Sequence, residues 1–115
     1  MMFVLIDNLS QPTRYIRIED FNLIEITPMN TMIIEVKDKR YNVLSIQNVK
    51  SILPKKPQLE DRDLLETLAI YLIMIIENHQ ERHINVDIKG LINNFAKDNE
   101  QLLFGRSDIN EENDN

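Results

Sequence analysis

The chain has 115 residues, 43% of them hydrophobic and 28% charged, with no cysteine, two glycines and a formal net charge of −6. That length suits one domain whose core needs no covalent staples, and the composition is globular rather than disordered. Disulfides and thiolate metal centres are excluded, and with glycine only at Gly90 and Gly105 so are phosphate loops and dinucleotide fingerprints.

Phe3 to Ile6 reads as a strand buried on both faces. The apolar start has no basic residue ahead of it and ends at Asp7, too short for a secretory segment. Asn8 to Pro12 is turn chemistry. Ile16 and Ile18 then alternate with Tyr15, Arg17 and Glu19, as in a half-buried strand. Glu19-Asp20 breaks that run, and Phe21 to Thr27 forms the next strand. Pro28-Met29-Asn30 supplies a turn, with Asn30 suited to the left-handed region. Met32, Ile34 and Val36 make an apolar face at period two, and Asp38-Lys39 turns the chain into Tyr41 to Ser45. These runs predict an antiparallel meander of about five strands.

After Ser45 the spacing of Ile46, Val49, Ile52 and Leu53 becomes helical, with Ser45 as N-cap. Pro54-Lys55-Lys56-Pro57 stops this short helix. A long helix is expected from about Gln58 to His79, with Glu60, Asp61 and Asp63 in its first turns where the helix dipole favours acids. Ile84, Val86 and Ile88 alternate like a strand, yet Ile84, Ile88, Leu91, Ile92, Phe95, Leu102 and Leu103 also trace one helical stripe. A second helix over about Val86 to Phe104, after a short extended stretch, ends at Gly105. The fold class is therefore α+β in one domain over 1–105. Residues 1–53 form its β-rich part, 58–105 its helical part, and 106–115 an acidic, mobile tail. No apolar run reaches the roughly 18 residues of a membrane span, so a soluble cytoplasmic protein is expected.

Charge is shared unevenly. Up to Pro57 there are eight Lys/Arg against six Asp/Glu (+2), and from Gln58 onward five against thirteen (−8). The acidic total disfavours generic binding to nucleic acid or anionic membrane. The abundance of Ile and Asn suits an AT-rich genome, such as a low-GC bacterium, its phages or its plasmids.

No catalytic centre is apparent, since none of Ser10, Ser45, Ser51 and Ser107 sits in a nucleophile elbow. His79 and His83 have the i, i+4 spacing of helical metal ligands, but no third ligand accompanies them and no bound metal or other cofactor is expected. The acidic group Glu60, Asp61, Asp63 and Glu66 reads as a solvated helix start. Arg14 and Arg17 on one strand, Lys37, Lys39 and Arg40 about a turn, and Lys50, Lys55 and Lys56 after it, with Tyr15 and Tyr41 interleaved, form a basic surface on which Lys37, Lys39, Arg40, Lys55 and Lys56 are the candidate nucleic-acid contacts.

The long helix carries the most unusual pattern. Leu64, Leu65, Leu68, Ala69, Leu72, Ile75 and Ile76 form one broad apolar face, while Ile70, Ile73 and Met74 lie on the opposite side. Either the second helix covers that patch or another chain does. The expectation is a non-enzymatic regulatory or inhibitory protein acting by macromolecular binding, as a homodimer through Ile70, Ile73 and Met74. Two alternatives stand beside it. One is a nucleic-acid-binding module using the basic surface. The other is a phage- or plasmid-encoded inhibitor that presents its acidic half to a host nucleic-acid-binding protein.

Overall fold

A computed structural model describes residues 3–19, 21–79 and 83–105. Two three-stranded sheets share one hydrophobic core with the helices, which gives the α+β architecture the sequence predicts. Strands β1 (Phe3–Asp7) and β2 (Arg14–Ile18) pair antiparallel, with Phe3 opposite Ile18 and Asp7 opposite Arg14. β3 (Phe21–Ile26), β4 (Thr31–Val36) and β5 (Lys39–Ser45) form a separate antiparallel meander. The five N-terminal strands thus divide between two sheets. The change falls between the end of β2 at Ile18 and the start of β3 at Phe21, beyond which β3 pairs with β4 instead of continuing alongside β2.

Local chemistry accounts for the elements. Asn30 adopts φ 58° in the β3–β4 turn and Lys37 φ 57° in the β4–β5 turn. Met32, Ile34 and Val36 are all buried, as the period-two pattern requires. Ser45 caps α1 (Ile46–Ile52) by accepting from the Asn48 N–H, while the Asn48 side chain accepts from the Ser45 N–H. After the proline-bounded connector, α2 (Asp61–Asn78) runs 18 residues without glycine or proline. Its inner face buries Leu64, Leu65, Leu68, Ala69, Leu72 and Ile76.

The ambiguous stretch after His83 contains both elements. β6 (Ile84–Asp87) lies parallel to β1, with Phe3 opposite Ile84, so β1 is the central strand of its sheet. Asp87 then caps α3 (Ile88–Asp98) by accepting from the Gly90 N–H at 2.9 Å. The helical stretch that the pattern carries through to Phe104 is divided at Asn99. Asn99 leaves helical backbone values (φ −126°, ψ 33°) while its N–H and its side-chain amide both donate to the Phe95 carbonyl at 3.0 Å, and α4 (Glu100–Phe104) follows. Gly105 stops α4 at φ 72°, the left-handed conformation that glycine takes most readily. The expected acidic tail lies outside the described residues. Among the described residues no helix is long and apolar enough to cross a membrane.

Candidate recognition surface

The helix α2 is amphipathic in an incomplete way. With 100° per residue, the inner face centres on Leu68, Leu65 and Leu72, and the diametrically opposite line runs through Asp63, Glu66, Ile70, Met74 and Glu77. All five of those residues are exposed, Ile70 to 59% and Met74 to 55%. Ile73, on the flank of the stripe, is half-buried. The stripe follows spacings of three and four residues and spans about 21 Å at 1.5 Å rise per residue. Two large apolar side chains therefore occupy its middle, with carboxylates at both ends.

Within this chain α3 does not cover the stripe. It meets α2 one helical position round, at Tyr71, whose ring lies 5.4 Å from that of Phe95 and whose hydroxyl donates to Asp98 at 2.6 Å. Desolvation, then the hydrogen bond to Asp98, pushes the Tyr71 phenol up to about 12. The contact fixes the α2–α3 angle and leaves Ile70 and Met74 in solvent.

Charge on α2 is one-sided, with Arg62 its sole Lys or Arg. That guanidinium is occupied: it donates to the carbonyls of Ile26 and Thr27 at 3.1 Å and pairs with Glu66 at 3.3 Å. Asp61 pairs with Lys50 at 2.7 Å. The carboxylates of Asp63 and Glu77 have no ion pair with the described residues.

The basic candidates lie on separate elements. Lys37, Lys39 and Arg40 surround the β4–β5 turn, whereas Lys55 and Lys56 lie in the α1–α2 connector. Arg40 pairs with both Glu25 and Glu35, which leaves its donors engaged by carboxylates. The Lys55 ammonium stands 5.5 Å over the Phe104 ring. Lys37 and Lys39 share a cleft of about 180 Å³ with Arg17 and Tyr41, but Glu19 and Asp38 line it too. Tyr15 is exposed on β2 and does not line that cleft. The two histidines share no helix face, because α2 ends at Asn78 while His83 leads into β6. The His79 ring is instead 2.9 Å from the Ile75 carbonyl, in the last turn.

A polar centre at Asp7 was not foreseen. Its fully buried carboxylate accepts from the N–H groups of Leu9 and Ser10, the Ser10 hydroxyl, and Nε and Nη2 of Arg14. Arg14 also donates to the Asn42 carbonyl at 2.7 Å, tying the two sheets together. An open groove of about 570 Å³ runs beside this arginine, lined by Leu9, Pro12, Asn42 and Ser45 among others. Because Arg14 is already engaged by Asp7 and Asn42, the network reads as a structural clamp. Available signals were the Asp7-x-x-Ser10 turn and the pairing of Asp7 with Arg14 across a hairpin.

Comparison with known protein families, curated proteins and solved structures finds no significant match to the chain.

Proposed function

We propose that this chain is a non-catalytic binding protein, regulatory or inhibitory in effect, that engages another macromolecule through the outer face of α2. The observation that supports this reading is the solvent exposure of Ile70 and Met74 side by side in the middle of an 18-residue helix. A central apolar pair within a charged rim is the ordinary anatomy of a protein interface. Elsewhere the large exposed apolar side chains stand singly, Met29 in a turn, Tyr15 and Leu23 on edge strands and Leu102 on α4, where single exposure needs no explanation. The stripe admits a second copy of the chain, since two-fold pairing is the commonest way to bury one surface. It also admits a different protein. The nucleic-acid alternative has less support, because Arg40 already serves two carboxylates.

The test uses the full chain and an Ile70→Glu/Met74→Glu double variant as baits in extract of the native host. The variant should melt like the wild type, because neither side chain is in the core. It should also fail to retain a partner that the wild type retains. Identical capture by both baits would exclude α2 as the binding surface.

A further inference from the structure

From the charge pattern of α2 we infer that its outer face takes a basic amphipathic helix of a different protein rather than a second copy of this chain. The inference rests on the reading of that face as a recognition surface and names its occupant. Along the stripe the order is Asp63, Glu66, Ile70, Met74, Glu77, with acids at both ends and no free cation between them. In a parallel pairing of two copies, Glu66 would meet Glu66 and Glu77 would meet Glu77. In an antiparallel pairing centred between Ile70 and Met74, Glu66 falls opposite position 78, next to Glu77 of the other copy. Both arrangements bring carboxylates together as the apolar pair is buried, and like charges set face to face across an interface are disfavoured. Arg62 cannot relieve this, because its donors hold the end of β3 and Glu66.

A helix with leucine or isoleucine at matching spacing, rimmed by lysine or arginine, meets each requirement. Its apolar ridge packs against Ile70, Met74 and the half-exposed flank of Ile73, as side-chain ridges pack between helices. Its cations reach Asp63 and Glu77, the two rim carboxylates without an ion pair among the described residues. Phosphate-bearing partners are repelled by the same rim, which excludes nucleic acid and anionic membrane from this face. The apolar centre is small beside the roughly 800 Å² per partner of a standard interface. Affinity should therefore be modest and dominated by charge at low salt.

The probe is a synthetic amphipathic helix with a leucine stripe flanked by lysines, and its twin with glutamate at every lysine. Binding to the full-length protein is read by fluorescence anisotropy at low and high salt, alongside sedimentation equilibrium of the protein alone. The lysine peptide should bind at least about tenfold more tightly than its twin, a difference of roughly 1.4 kcal/mol. Raising salt should weaken it. An Ile70→Ser/Met74→Ser variant, with unaltered charge and an unaltered melt, should lose about tenfold in affinity. Undiminished binding by that variant overturns both the occupant and the surface, since attraction would then be to acidity at large. A wild-type dimer that strengthens with salt and is abolished by Ile70→Glu overturns the occupant alone and leaves the surface standing.

Discussion

Asp7→Asn isolates the charge of the one buried ionised group among the described residues. Asparagine keeps an oxygen for the Leu9 and Ser10 N–H groups but turns an amide N–H₂ toward Arg14, which can only donate. Burial by itself pushes the Asp7 carboxyl up. The hydrogen bonds from Ser10, Arg14 and Leu9, and the charge of Arg14, outweigh it, so the carboxyl is held below the usual aspartate range. Breaking a fully buried pair costs about 3–5 kcal/mol. The Arg14 side chain is 38% exposed, so water recovers part of that. A loss of about 2 kcal/mol remains, a fall in Tm of roughly 8 °C for a domain of this size. The sign with pH follows from the depressed folded pKa. The contribution is full above the ordinary aspartate value of about 4 and is lost as pH falls through the lower folded value. Urea melts of wild type and variant at neutral pH, near pH 5 and near pH 3 should show a constant gap that closes only in acid. A gap under about 0.5 kcal/mol at neutral pH, or one that persists unchanged near pH 3, would refute the clamp.

Three further outcomes are expected. Gly90→Ala should bring no gain and a loss of up to about 1 kcal/mol in thermal melts: alanine's roughly 1 kcal/mol helix preference is offset by a Cβ 2.4 Å from the Asp87 oxygen that caps α3, and a lost cap costs ~1–2 kcal/mol. Tyr71→Phe keeps the ring contact with Phe95 but loses the bond to Asp98, for about 1 kcal/mol in urea melts. Because the Tyr71 phenol is raised to about 12, that contribution is full below the ordinary tyrosine value near 10 and is lost as pH rises through 12, and the ionisation near pH 12 in an absorbance titration of the wild type should be missing from Tyr71→Phe. Arg40→Ala, in a solvent-accessible ion-pair cluster, should leave the melting temperature within a few degrees of wild type, since exposed pairs contribute about 0–1 kcal/mol.

Features fixed by neighbours in the chain were readable in the sequence. Asn30 and Gly105 take left-handed conformations, Ser45 caps α1, and Met32, Ile34 and Val36 point into the core, all for reasons contained within a few residues. The division into two sheets was not readable, because the pairing of β1 with β6 joins Phe3 to Ile84 and no local pattern encodes it. Asn99 fits a helical stripe by spacing, yet its backbone leaves helical values there (φ −126°, ψ 33°), which spacing does not encode. For the candidate surface, periodicity revealed apolar residues on both sides of α2. Whether α3 covers Ile70 and Met74 depends on a tertiary choice, settled by Tyr71 meeting Phe95 and Asp98 instead.

Site-specific photocrosslinking in the native host tests most directly whether the outer face of α2 is a recognition surface rather than merely exposed. A benzophenone amino acid would replace Met74 in one protein and Met29 in another. Met29 is the more exposed of the two, at 82% against 55%, but stands alone at the β3–β4 turn. The account predicts one discrete adduct from position 74 and none of comparable yield from position 29. Equal yields from both positions, or an adduct confined to position 29, would contradict it.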